Sequence, residues 1–190
     1  MIFYHGSSIG GLTRLKPFIS EHGKPYIYFS TNPLVALLYA VKPVPKPFSF
    51  YPYGFDNDGA VVFSEYYENA FFDIYNGKTG YLYSCHDLQD IQNPTQINCA
   101  YTCPNPVRPD DVSEIPNLYE YFKEHEGKGI FRIKSYYEIS QKEMGFILSE
   151  LEKDVITYKL NDNPKHPMSI FLKAHFPSVL EKTKKTIIYH

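Results

Sequence analysis

Near the start of the chain, two apolar runs each bring a ring-bearing polar residue to a point where the run stops. Met1-Ile2-Phe3-Tyr4 is closed by His5-Gly6-Ser7-Ser8, and Tyr26-Ile27-Tyr28-Phe29 is closed by Ser30-Thr31-Asn32-Pro33. A third ring, Tyr39, follows the second at a spacing of 39 − 28 = 11 residues. An imidazole can exchange a proton or a hydrogen bond near neutral pH. The glycine beside it lets another group approach the backbone closely, and phenol rings offer flat surfaces on which a planar heterocycle can stack. Other chemistries lack their signatures. No Gly-Lys-Ser/Thr follows Gly6 to Gly11, so this is no phosphate-cradling P-loop. No Gly-x-Ser-x-Gly elbow marks a serine hydrolase. Cys99 and Cys103 have loose metal spacing but no second pair, and His86 beside Cys85 does not complete a four-ligand zinc site. We expect no metal.

The elements that must hold these residues are short. Apolar, β-branched and aromatic runs stopped by Gly, Ser, Asn and Pro predict two strands. After Pro33 the period changes: Leu34, Val35, Leu37, Leu38 and Val41 fall at helical spacing, with Pro33 suited to the first turn and Asn32 or Thr31 to the cap. The head is therefore strand, loop, strand and short helix.

This arrangement resembles the ADP-ribosyltransferase fold, in the His-Tyr-Glu branch of the poly(ADP-ribose) polymerases and diphtheria-type toxins. The residues that carry the likeness are His5-Gly6-Ser7, Tyr28-Phe29-Ser30, and Tyr39 in Leu-Leu-Tyr-Ala. They cover roughly a fifth of the chain. The resemblance implies an NAD-binding protein that transfers ADP-ribose to an unidentified protein or nucleic-acid acceptor. NAD would be a substrate, with no metal. It implies that His5 binds a ribose hydroxyl, that Gly6 bonds the nicotinamide carboxamide through its backbone, and that Tyr28 and Tyr39 sandwich the ring. Ser7 could take a ribose hydroxyl or close a turn. Arg14 or Lys16 could meet a pyrophosphate. Two departures stand out. The polymerases carry a Ser three residues before the second Tyr, where this chain has Ala36. The Glu that stabilises the developing ribose cation has no evident counterpart: Asn98-Cys99-Ala100-Tyr101 holds no acid. Glu138 is the candidate, at the end of a predicted strand, with Glu65 and Glu68 behind it. A first-turn helix carboxylate is the competing account of Glu138. Without that acid, the alternative is a catalytically inactive nucleotide-binding or interaction module on the same fold. RNA 2′-phosphotransferases share the fold and the His-Gly head, but they want a basic grip that a formal net charge of −2 does not advertise.

Composition bounds the rest. The chain of 190 residues is 43% hydrophobic and 17% aromatic, with Tyr 18, Phe 14 and Trp 0. That suffices for a sizeable core. Near-neutral charge gives no sign of a nucleic-acid or anionic-membrane partner, and no run approaches the ~20 apolar residues of a membrane span. Three cysteines and a polar N-terminus lead us to expect a bacterial-type cytoplasmic protein with reduced thiols.

Further along, Asp56-Asn57-Asp58-Gly59 predicts a turn pairing Phe48–Tyr53 with Ala60–Ser64. Helices are predicted over Glu65–Tyr75, over Ser113–Glu126 with Ser113 as cap, from Ser140 to about Ile156, and over Met168–Lys182. Strands are predicted over Gly80–Cys85, Thr95–Cys103 and Ile130–Tyr137. Strands early and helices late give an α+β class, a split antiparallel sheet with a helical C-terminal part. The domains expected are a core over 1–138 and a helical extension, 139–190, packed on it.

Overall fold

A computed structural model describes residues 1–19, 23–42, 44–46, 52–94 and 97–188. In chain order its elements are β1 (Ile2–Ser7), β2 (Phe18–Ile19), β3 (Pro25–Ser30), α1 (Pro33–Leu38), β4 (Tyr53–Phe55), β5 (Val61–Ser64), α2 (Ala70–Tyr75), β6 (Gly80–His86), β7 (Ala100–Cys103), β8 (Asp111–Ile115), α3 (Leu118–Gly127), β9 (Phe131–Lys134), a 3-10 turn (Tyr136–Glu138), α4 (Gln141–Thr157), α5 (Pro167–His175) and α6 (Pro177–Ile188). Helices accompany an antiparallel sheet, so the class is α+β. No helix among the described residues is long and apolar enough to cross a membrane.

The chain forms two compact units, each from two stretches: Met1–Pro43 with Phe72–Phe131, and Val44–Phe71 with Arg132–His190. The first is built on a six-stranded sheet in the order β2-β3-β1-β6-β8, with β7 also paired to β3. Its strand pairs are antiparallel. Side chains alternate faces along a strand. One face carries Phe3, Ile27, Phe29, Tyr83, Cys85 and Cys103, and the loop residues Leu15 and Val107 close over them into a core. Burying a large apolar side chain contributes about 1.5–3 kcal/mol, so these residues hold the strands in register. On the opposite face α1 packs against β1. Asn32 caps it by accepting from the Leu34 and Val35 amides, and Pro33 occupies its first turn.

In the second unit β4 and β5 form a hairpin. Asp56 Oδ1 accepts from the Asp58 and Ala60 amides, and Gly59 takes a φ of +84° that favours glycine. The long helix α4 starts with a reciprocal cap between Ser140 and Glu143. Ile147, Leu151 and Val155 are buried along it.

Several predicted elements differ. Ser113 caps no helix: it lies on β8 opposite Leu82, and Asn117, after the Pro116 break, caps α3 instead. The helix expected from Glu65 begins only at Ala70, although Tyr67, Phe71 and Ile74 are buried as the stripe required. Strand β9 ends at Lys134, where Ser135 caps the 3-10 turn. The last predicted helix is two, broken at Phe176 because Pro177 offers no N–H to continue α5. The expected pairing of Phe48, Phe50 and Tyr51, and the start of the strand at Thr95 and Gln96, lie outside the described residues.

Candidate functional site

Strand β1 has unequal neighbours. It pairs with β6 over its whole length, from Ile2↔His86 to Ser7↔Tyr81, but with β3 only at Tyr4↔Ser30. Antiparallel ladders alternate which edge each residue's N–H and C=O face, and that alternation can be followed across the sheet. Thr102 exchanges both backbone bonds with Gln92, so Tyr101 and Cys103 face β3. Phe29 and Ile27 then face β7, while Tyr28 and Ser30 face β1. On β1, Tyr4 and Gly6 face back toward β3. The next rung past Tyr4↔Ser30 would join Gly6 to Tyr28, and it is not formed. The Tyr28 carbonyl instead accepts from His5 Nδ1 at 2.8 Å. Gly6 thus turns its N–H and C=O toward β3 at a position where the ladder between the two strands is not continued.

That bond fixes the state of the imidazole. A carbonyl only accepts, so Nδ1 carries the proton and Nε2 of the neutral ring keeps its lone pair. Burial lowers the His5 pKa, and the Tyr28 carbonyl only partly offsets it, so the ring is neutral at pH 7. The ring stands edge-on to Phe29 at 6.0 Å and is tilted against Tyr83 at 6.5 Å.

Gly6 has a second constraint. A Cβ there would fall 1.9 Å from the Ala36 carbonyl oxygen and 2.7 Å from its carbon. The backbone of α1 therefore already makes the close approach that only glycine allows. Just past α1, Tyr39 ends the helix, its N–H directed at the Ala36 and Leu37 carbonyls, and its side chain is exposed. Tyr28, half-buried, lies 5.6 Å from the Phe18 ring. Strand alternation puts Tyr28 on the α1 side of the sheet and His5 on the other. The structure brings His5, Gly6 and the Tyr28 backbone together where the β1–β3 ladder stops, but the imidazole and the Tyr28 phenol stand on opposite faces of the sheet. Ser7 Oγ accepts from the Ile9 amide at 3.1 Å, a local turn bond.

The acids are elsewhere. Glu138 belongs to the second unit, where Oε2 accepts from the Ser135 amide at 2.7 Å and Oε1 meets Arg132 at 2.5 Å. These contacts, the Ser135 bond first, hold its carboxyl below the usual range. Glu65 accepts from the Phe71 and Tyr136 amides, and Glu68 from the Tyr137 hydroxyl. Each of these three carboxylates therefore has a structural engagement within its own unit. Strand β7, beside β3, contributes Ala100, Tyr101, Thr102 and Cys103 and no acid. Arg14 and Lys16 are exposed. All three cysteines are free thiols, and burial above all pushes Cys85 up to about 11. Among the described residues no group of three or more His, Cys, Asp or Glu could hold a metal ion.

Sequence reasoning passed over Tyr83 as one aromatic in a strand, though the alternation in Tyr81-Leu82-Tyr83 could have found it. It sits directly opposite His5, fully buried, and its hydroxyl reaches the loop after β1. Compared with protein-family models, with curated proteins and with solved structures, the chain matches none of them.

Proposed function

We propose that the first unit binds NAD where the β1–β3 ladder stops and that the protein is ADP-ribosyltransferase-like, passing ADP-ribose to a protein or nucleic-acid acceptor. The observation that carries this reading is the rung lost between Gly6 and Tyr28, with His5 Nδ1 on the Tyr28 carbonyl in its place. Gly6 offers one donor and one acceptor side by side, the complement of a carboxamide. His5 Nε2, held as an acceptor, suits a ribose hydroxyl. Tyr28 rises from the α1 face of the sheet and Tyr39 ends α1; as stacking partners of a nicotinamide ring they would each contribute about 1–3 kcal/mol, the worth of a stacked base in nucleic-acid complexes. Ser7 follows Gly6 as the last residue of β1.

A second reading, a nucleotide-binding module that does not cleave its ligand, is favoured by Glu138. Its carboxylate is engaged by Ser135 and Arg132, and stabilising a developing cation calls for a charge aimed at that cation.

Calorimetric titration with NAD tests binding: the wild type binds, and His5→Ala and Tyr28→Ala bind at least about tenfold more weakly, the loss of one good polar or stacking contact. No heat from the wild type removes both readings. Nicotinamide release then separates them. Nicotinamide released by the wild type supports transfer, and binding without release supports the silent module.

A further inference from the structure

The geometry points to Tyr83 as a positioning residue that holds the loop after β1 as a wall of the site on the His5 side. This inference rests on the NAD-binding reading and extends it to a residue outside the head motif. Tyr83 pairs with His5 across β1 and β6, so both side chains rise from the same face of the sheet, with ring centroids 6.5 Å apart. Its ring is fully buried, yet its hydroxyl is used twice, donating to the Ile9 carbonyl at 2.9 Å and accepting from the Leu12 amide at 3.0 Å. Those two loop groups lie three residues apart, so one hydroxyl fastens both ends of the Ile9–Leu12 bend. Tyr81, opposite Ser7, supports the bend from below: a Cβ on Gly10 would fall 2.6 Å from its ring. Gly11 turns the chain with a φ of +70°. A loop tethered in this way reaches the ligand's sugar side already ordered, and ordering done in advance is not charged against binding.

The test is a double-mutant cycle read by NAD calorimetry on the full chain, with amide hydrogen exchange as a second readout. Tyr83→Phe keeps the ring and removes both tethers. We expect the Leu12 amide to exchange at least about tenfold faster, and NAD to bind about threefold to tenfold more weakly. In a His5→Ala background the same substitution changes binding by less than about twofold, because both residues act on the same part of the ligand. Should Tyr83→Phe fail to fold, Gly10→Ala crowds the bend against the far end of the Tyr81 ring and disturbs its seat on the Tyr83 hydroxyl, with the same expectations for Leu12 exchange and NAD binding. A wild type that binds no NAD overturns the binding reading and this inference with it. A wild type that binds, with Tyr83→Phe equally tight or equally damaging with and without His5, overturns the role of Tyr83 alone.

Discussion

Gly6→Ala concentrates the account into one methyl group. The added Cβ would sit 1.9 Å from the Ala36 carbonyl oxygen, whereas real Cβ contacts essentially never fall under 3.0 Å, so the two must separate by at least 3.0 − 1.9 = 1.1 Å. The obstacle is backbone and cannot rotate aside. Nor is α1 free to lift: Leu34, Val35, Leu37 and Leu38 are all buried beneath it, and Asn32 caps its start. Overpacking costs about 1–3 kcal/mol when side chains can adjust, and a fixed carbonyl places this substitution at the upper end. For a chain of this size about 1 kcal/mol lowers the melting temperature by about 2–4 °C, so a cost of about 3 kcal/mol should show in scanning calorimetry as a fall of about 6–12 °C. Gly127→Ala is the control, because a Cβ there meets nothing within 4 Å. If Gly6→Ala melts with the wild type, α1 does not seat on β1 as described, and the explanation of Gly6 fails.

Four further outcomes follow from other parts of the chain. Gly145, inside α4 with open space around its Cα, should stabilise the protein by about 0.5–1 kcal/mol when replaced by Ala, measured by denaturant titration. The unfolded His5 ring takes up its proton near 6.5, while the folded ring stays neutral to lower pH. The unfolded state therefore binds more protons in that window, and stability falls as pH drops below about 6.5, by at most about 1.4 kcal/mol per pH unit for one proton; His5→Gln should flatten that slope in melts run from pH 7 to 5. Glu143 is held at about 2, first by the Lys134 ion pair and then by the Ser140 cap, against an ordinary 4.5. Its contribution is present above pH 4.5 and lost as pH falls toward 2, so Glu143→Gln should weaken the protein at pH 7 and reduce its sensitivity to acid. Asn117 Oδ1 accepts from both the Tyr119 and Gly77 amides, so Asn117→Ala should cost about 1–2 kcal/mol in the same titration.

What could be read from residue order was what short-range chemistry decides. Asn32 and Pro33 announce α1, Asp56 to Gly59 announces the hairpin, and Ser140 with Glu143 announces α4, because each signal and its partner lie within four residues. Ser113 misled because a strand residue and a helix cap share the same extended backbone, and only the distant β6 decides between them. The break between α5 and α6 was legible in Pro177 and was missed. The site divides in the same way. Glycine at position 6 was visible, but the α1 carbonyl against it belongs to the tertiary fold. The early end of the β1–β3 ladder, on which the roles proposed for Gly6 and His5 rest, leaves no mark in either strand's sequence. Glu138 looked available because Arg132 and Ser135, six and three residues away, had not been weighed as its partners.

The central claim is the proposal that β1, where its pairing with β3 stops, receives a dinucleotide. An amide-resolved NMR titration with NAD tests it most directly. The account predicts saturable shifts at Gly6, with Ser7 and Tyr28 moving on the same curve and the His5 imidazole following. Shifts confined to other residues, or no saturable change at Gly6, would contradict it.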